Sequence, residues 1–112
     1  MFGTVARLRC KPGGVEWVRA WFDVQSQRPM RGWVATTLFA ADDDPQTVWV
    51  SVLFESREAY VANAETPVQD QLYHQMLSGL ESPPEWHDGS VISHRTAAAT
   101  RDEAAPQGGT SR

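Results

Sequence analysis

Two apolar runs decide the fold: GWVATTLFA at residues 32–40 and TVWVSVLFE at residues 47–55. The polar stretch between them, ADDDPQ at residues 41–46, is typical of a hairpin connection. Its three aspartates could suggest a cation site, but adjacent turn positions without a distant ligand favour a solvated loop. The two runs are therefore expected to form neighbouring antiparallel strands.

Neither face of these two strands is suited to water. By simple alternation, the first strand carries Trp33, Ala35, Thr37 and Phe39 on one face and Val34, Thr36, Leu38 and Ala40 on the other. The second strand carries Val48, Val50, Val52 and Phe54 on one face and Trp49, Ser51 and Leu53 on the other. An antiparallel sheet with one solvated face alternates between apolar and polar residues, so two apolar faces indicate that both are covered. Helices of the same chain can cover one face, and the same face of a second copy is the simplest cover for the other. A sheet closed within one chain is the alternative, but about four strands are too few.

The remaining elements surround this hairpin. Alternation and helical spacing predict a strand at 2–9, helices at 15–27, 57–65 and from Thr66 to about Glu81, and a last strand at 90–95. Ser56 and Thr66 are the expected helix caps, and Asp88-Gly89 the expected turn before the last strand. The predicted order is βαββααβ, an α+β, ferredoxin-like fold with an antiparallel sheet.

Composition limits the possible functions. The 112 residues, 41% of them hydrophobic, fit one domain over residues 1–96, and the non-periodic residues 97–112 are expected to be a disordered tail. A net charge of −4 argues against nucleic-acid binding. The single cysteine, the absence of a signal-peptide pattern and the lack of about 20 consecutive apolar residues predict a cytoplasmic protein without a membrane span.

Several segments together resemble the antibiotic-biosynthesis-monooxygenase-like family of dimeric α+β barrels. They are residues 3–7 (GTVAR), 11–13 (KPG), 32–35 (GWVA), 42–45 (DDDP), 54–60 (FESREAY), 62–64 (ANA) and 84–89 (PEWHDG). The resemblance covers residues 2–95 and implies a homodimer.

The resemblance also implies a class of chemistry. Enzymes of this family oxidise phenolic, polyketide-like or quinol-like compounds with dioxygen and need no metal or flavin, so no cofactor is expected. A substrate that can be deprotonated to a delocalised anion can itself reduce oxygen, and the protein supplies a base, a dry pocket and orientation. Haem-degrading relatives are described with an Asn on the first strand, where this chain offers Thr4, Ala6 and Leu8. Haem is therefore a distant third possibility.

Tyr73 and His87 are the candidate catalytic residues. The stripe of Val68, Leu72, Met76 and Leu80 turns Tyr73 inward and His74 outward, and Tyr73 is either a hydrogen-bond donor in a pocket or a core residue. His87, beside a carboxylate, is suited to accept a proton, although a loop histidine bonded to the backbone is the plainer interpretation. The spacings of the three histidines match no compact metal-ligand pattern, so no metal is expected.

Trp33, Trp86 and Asn63 are the candidate substrate-binding residues. Tryptophans can stack on flat aromatic ligands, though most of the five are expected in the core or a dimer contact. Alternation turns Trp33 toward the apolar face that carries Phe39, and Asn63 is either a polar group of the pocket or a solvated one.

Two functions remain open. One is a cofactor-independent monooxygenase acting on a small aromatic or quinol-like compound. The other is a non-catalytic homodimer that binds a small hydrophobic molecule or serves as an interaction module.

Overall fold

The structure, a computed structural model, describes residues 1–97. In chain order the elements are β1 (Phe2–Arg9), α1 (Gly14–Gln25), β2 (Trp33–Ala40), β3 (Thr47–Phe54), α2 (Arg57–Ala64), α3 (Pro67–Leu77) and β4 (Glu85–Ser90). The strands form one antiparallel sheet in the order β2-β3-β1-β4. The predicted α+β, ferredoxin-like βαββααβ order is confirmed. Apart from Ala97, the predicted disordered tail lies outside the described residues.

The helix starts follow the capping signals in the sequence. The Ser56 hydroxyl accepts a hydrogen bond from the Ala59 backbone N–H, and the Thr66 hydroxyl accepts one from that of Gln69, each at 3.1 Å. Each bond satisfies a backbone donor that the first helical turn leaves unpaired. No helix within residues 1–97 is long and apolar enough to cross a membrane.

The core lies between the helices and one end of the sheet. Even-numbered residues of the two central strands, β1 and β3, face the helices, while odd-numbered ones face away. The fully buried cluster comprises Ala6, Leu8, Cys10, Val18, Val48, Val50, Met76 and Leu80. Its members come from both central strands, α1, α3 and the segments flanking them, so this cluster holds the helical layer on the sheet.

The last strand differs from the sequence prediction. It occupies Glu85–Ser90, not 90–95, and Asp88-Gly89 is not a turn but pairs with Thr4 and Gly3 in the middle of the ladder. All six residues of β4 are exposed. Such a polar segment carries little strand propensity of its own, and its conformation is determined by the backbone groups that β1 offers at its free edge.

A helix end and a strand register also differ from the sequence prediction. Helix α3 ends at Leu77 rather than near Glu81, because Leu80 forms a bridge with Cys10 and the Glu81 N–H bonds to the Arg9 carbonyl. Strand β2 contains a register shift between Trp33 and Ala35, a β-bulge that breaks simple alternation. Trp33 therefore faces the helices with Thr36, and Phe39 lies on the opposite face.

The sheet face away from the helices remains apolar. We call it the open face, and it carries Val5, Phe39 and Trp49, which are 48%, 57% and 41% exposed. It also carries charged residues: Arg7, cross-strand from Trp49, pairs with Glu85, and Arg9 pairs with Asp44 and Glu81. The three helices cover one face only, as the sequence predicts.

Gly3 and its cross-strand partner Gly89 form a matched pair for testing the sheet. A Cβ on Gly3 would lie 2.1 Å from the Val52 carbonyl oxygen, whereas a Cβ on Gly89 would meet nothing within 4 Å. We expect Gly3→Ala to destabilise the fold by about 1–3 kcal/mol, because backbone must move, and Gly89→Ala to stay within about 0.5 kcal/mol of wild type. Urea denaturation at one protein concentration measures both. Equal free energies of unfolding for the two variants would show that the β1 and β3 backbones can move apart without energetic cost.

Candidate functional site

A cavity of about 390 Å³ lies between the helices and the sheet, at the end opposite the buried core cluster. Every helix and every strand contributes to its lining. The aromatic lining residues are Trp21, Phe22, Trp33, Phe54, Tyr60, Tyr73 and Trp86, and the polar ones include Thr4, Arg28, Thr36, Asn63, Gln69, Asp70 and Asp88. Aromatic walls that alternate with polar side chains can bind a flat small molecule and orient it by hydrogen bonds.

Trp33 forms part of the wall and is held in place by the bulge in β2. Its indole N–H donates a hydrogen bond of 2.9 Å to the Thr36 hydroxyl, on the same face of the strand. The sequence interpretation placed Trp33 in a pocket but on the face of Phe39. The structure places it in the cavity on the opposite face, because the bulge reverses the side on which it projects.

Tyr60 and Asp88 form a hydrogen-bonded pair in the cavity. The Tyr60 hydroxyl donates to Asp88 Oδ1 at 3.0 Å, joining α2 to β4. Burial, together with this bond to a carboxylate, raises the pKa of Tyr60 to about 12. Tyr60 therefore stays protonated at neutral pH and acts as a donor, while the Asp88 carboxylate is the group of the pair that can accept a proton.

Phe2 and Phe54 hold the Tyr60 ring, with ring centroids 5.2 and 5.7 Å away in tilted and edge-on arrangements. Both phenylalanines are strand residues, at the register position Phe2↔Phe54. The phenol is thus fixed by packing as well as by its hydrogen bond.

A second polar group of the cavity comprises Arg28, Asn63 and Gln69. Arg28 Nη2 and Asn63 Nδ2 both donate to Gln69 Oε1, at 3.2 and 3.4 Å. Thr66 caps α3 as expected, but the Gln69 side chain points to this group rather than back to the cap. Asn63, a predicted substrate-binding residue, lines the cavity.

Tyr73 and His74 take the orientations that helical spacing predicts. Tyr73 lines the cavity and packs against the core cluster. The His74 side chain is 67% exposed, and its Nδ1 lies 2.8 Å from the Asp70 carbonyl oxygen. Val68, at the start of the predicted stripe, is nevertheless 48% exposed, so only the later part of α3 faces the core.

Trp86 and His87 are separated by the pleat of β4. Trp86, like Asp88, projects to the helix side and lines the cavity. His87 lies opposite Val5 in the β1–β4 ladder and projects to the open face, with its side chain 69% exposed. Its Nε2 lies 3.9 Å from Glu85 Oε1. Because neighbouring strand residues face opposite sides, His87 and Asp88 do not share a site, and His87 is not positioned to act in this cavity.

The residues that sequence reasoning missed are Tyr60, Asp88 as a cavity carboxylate, and Arg28. Tyr60 and Asp88 fall within the segments FESREAY and PEWHDG that carry the family resemblance, and this was the available signal. Arg28 stands in a connection and belongs to no pattern. Within residues 1–97, no group of three or more His, Cys, Asp or Glu side chains is arranged to hold a metal ion.

Comparison with solved structures places this architecture among known ones. A monooxygenase from the ActVA-Orf6 gene of Streptomyces coelicolor, solved with nanaomycin D, superposes with a TM-score of 0.73 and 22% identity over 87% of this chain and 92% of that one. This chain has the fold of antibiotic biosynthesis monooxygenases. The protein Rv0793 from Mycobacterium tuberculosis superposes with a TM-score of 0.69 and 18% identity, covering 85% of this chain and 98% of that one.

The resemblance stated from the sequence is confirmed at the level of fold. A Nitrosomonas europaea protein assigned as an antibiotic biosynthesis monooxygenase likewise superposes with a TM-score of 0.68 and 17% identity, over 83% of this chain and 100% of that one. No family model and no curated protein matches the sequence. At such low identities the shared property is the fold, and a function must be argued from this chain's own cavity.

Tyr73→Phe and His74→Ala test the orientation of α3 toward the ligand. Tyr73→Phe removes one hydroxyl from the cavity, so we expect ligand binding or turnover to weaken by about 0.5–1.5 kcal/mol if that hydroxyl bonds the ligand. His74→Ala removes a solvent-exposed ring and should change neither. Binding of an anthrone-type compound, measured for the wild type and both variants, tests this orientation. A larger effect of His74→Ala would place the ligand on the outer side of α3.

Proposed function

We propose that this chain is a cofactor-independent monooxygenase that oxidises a small aromatic, polyketide-like or quinol-like compound with dioxygen. The observation that carries the proposal is the Tyr60–Asp88 pair in an aromatic cavity of about 390 Å³. The cavity is large enough for a compound of two or three fused rings. It combines flat walls, a carboxylate that can accept a proton, and a phenol that can donate a hydrogen bond.

The proposed reaction requires few protein groups. Asp88 removes a proton from an activated methylene or phenol, and the resulting anion, delocalised over the rings, transfers an electron to dioxygen. For an anthrone-type methylene, one dioxygen is consumed, one oxygen atom becomes the new carbonyl, and the other leaves as water. The substrate supplies all the electrons, so no external reductant is required. The aromatic walls orient the anion.

The cavity residues have different roles in the proposed reaction. Asp88 is the base, and Tyr60 positions its carboxylate through the 3.0 Å hydrogen bond. Trp33 and Trp86 bind the flat faces of the substrate, while Asn63 and Tyr73 offer polar contacts. His87 has no part, because it projects from the opposite face of the sheet.

A ligand-binding protein without turnover is the second candidate. The same cavity supports it, because aromatic walls and unpaired polar atoms bind a ligand whether or not a reaction follows. Haem is less favoured: the lining within residues 1–97 includes no histidine or cysteine and so offers neither an imidazole nor a thiolate as axial ligand. Adding haem should therefore produce no spectrum of imidazole- or thiolate-ligated haem, since the axial ligands that the lining offers are tyrosine and methionine side chains.

Oxygen uptake with a panel of anthrones and quinols tests the reaction. We expect uptake above the rate in buffer alone, unchanged after dialysis against a chelator. Asp88→Asn should lower kcat/KM by about 10²–10⁴-fold, because it removes the proton acceptor while keeping the shape. Asp42→Asn, the same change at an exposed hairpin residue, is the matched control. Full activity of Asp88→Asn would place the base elsewhere, and no uptake by the wild type would favour the ligand-binding candidate.

We also propose that the functional unit is a cytoplasmic homodimer in which the open faces of two copies meet. Val5, Phe39 and Trp49 are exposed on this one face, and large apolar residues exposed together are a feature of association surfaces. A two-fold axis buries this surface against itself without requiring another protein. The cytoplasmic location is in keeping with a single buried cysteine that has no disulfide partner.

Light scattering on a gel-filtration column tests the dimer. The wild type should elute with twice the chain mass, and Phe39→Glu or Trp49→Glu should shift it to the monomer, because burying an unpaired carboxylate is costly. Val24→Glu, on a residue of α1 that is 61% exposed, is the control and should remain dimeric. A wild-type species of one chain mass would contradict both the dimer and the barrel.

A further inference from the structure

The cavity contains polar atoms that the protein leaves unsatisfied. Within residues 1–97, three buried side-chain polar atoms have no hydrogen-bond partner: Thr4 Oγ1, Trp21 Nε1 and Arg28 Nε. All three belong to residues that line the cavity. Of these, the Thr4 hydroxyl faces the Tyr60 hydroxyl and acts to lower the pKa of Tyr60, so it is not isolated. The Trp21 and Arg28 nitrogens have less than 1 Å² of accessible surface, so they are unsatisfied donors behind the cavity wall and are not open to a ligand.

Two of these atoms are donors from neighbouring parts of the chain. Trp21 belongs to α1, and Arg28 lies in the connection that follows it. An indole N–H and a guanidinium N–H donate but do not accept. The missing partner of each is therefore an acceptor. Within residues 1–97, Arg28 Nη1 is neither hydrogen-bonded nor closed to solvent, so it is the donor that an oxygen atom of a ligand can reach.

The charge of Arg28 makes the acceptor anionic. Arg7, Arg9 and Arg19 each form an ion pair with a carboxylate, whereas Arg28, half-buried, forms none within the described part of the chain. Its one hydrogen bond goes to the neutral amide of Gln69. A half-buried guanidinium without a counter-charge is unfavourable, and an anionic ligand would offset this cost.

The two carboxylates that line the cavity do not neutralise Arg28. Asp88 accepts the Tyr60 hydroxyl. The Asp70 side chain is 72% exposed, and its Oδ2 lies 3.8 Å from His74 Nδ1. Neither forms an ion pair with Arg28 among the residues described.

We propose that Arg28 binds the carboxylate of an aromatic acid, which is the substrate class of this cavity. The guanidinium bonds the carboxylate through Nη1, while the aromatic walls hold the ring. Repulsion from Asp88 directs the carboxylate away from the base, so the oxidisable part of the ring system faces Asp88. The proposal rests on the proposed function only in treating this cavity as the substrate site.

Isothermal titration calorimetry with 2-naphthoate and 2-naphthamide tests the site. The two probes share their ring and shape and differ in charge, and neither contains an oxidisable methylene. We expect the wild type to bind 2-naphthoate about tenfold more tightly than 2-naphthamide, because hydrogen bonds to charged groups are stronger than neutral ones. Arg28→Gln should abolish this preference. Arg31→Gln removes the same charge from an exposed position in the same connection, and should retain it.

A further variant keeps the test valid if Arg28→Gln does not fold. Arg28→Lys retains the charge but loses the planar guanidinium, and it should weaken 2-naphthoate binding several-fold. Equal affinity of the wild type for both probes, no binding of 2-naphthoate, or a preference unchanged in the Arg28 variants would overturn the proposal. Because the probes undergo no turnover, this result is independent of the oxygen-uptake test.

Discussion

Strand β3 lies between β2 and β1 and carries apolar side chains on both faces, and the rest of the structure depends on this central pairing. Val48 and Val50 face the helices and are buried with Leu8 and Ala6 of β1, whereas Trp49 on the other face is 41% exposed. The hydrophobic effect favours covering both faces, but the helices of one chain pack on a single side. The helix-covered side provides the core and the cavity, and no element within residues 1–97 covers the open face.

The core and the cavity occupy successive stretches of the sheet. At one end β1 and β2 present Leu8 and Leu38 to the helices, and the space is filled. Farther along, the same strands present Thr4 and Thr36 to the cavity, beneath the aromatic residues of α1 and α2. Stability and binding are thereby separated along the sheet, because the tightly packed end supports the end that remains open.

Much of the site could be anticipated from local patterns, and the errors have identifiable causes. Helical spacing placed Tyr73 inward and His74 outward, because the turn angle between consecutive residues is nearly constant. Trp33 was placed on the wrong face, because alternation assumes an unbroken ladder and a bulge breaks it. The last strand was placed five residues too late, because Asp88-Gly89 has the composition of a turn but lies in a ladder with β1. That error concealed Asp88 as a cavity residue and gave no indication that His87 projects from the opposite face of the sheet.

The sequence by itself determined the order of elements, the helix caps and the two-sided apolar hairpin, because these depend on local propensity and periodicity. Only the tertiary structure decided which polar groups meet. Tyr60 and Asp88 are 28 residues apart, and Arg28 and Gln69 are 41 apart, yet both pairs are hydrogen-bonded in one cavity. No local pattern encodes such contacts, since they arise from the register of β4 on β1 and from the packing of α1 beside α3. The chemistry of this protein therefore lies in contacts between distant segments that its local patterns leave undetermined.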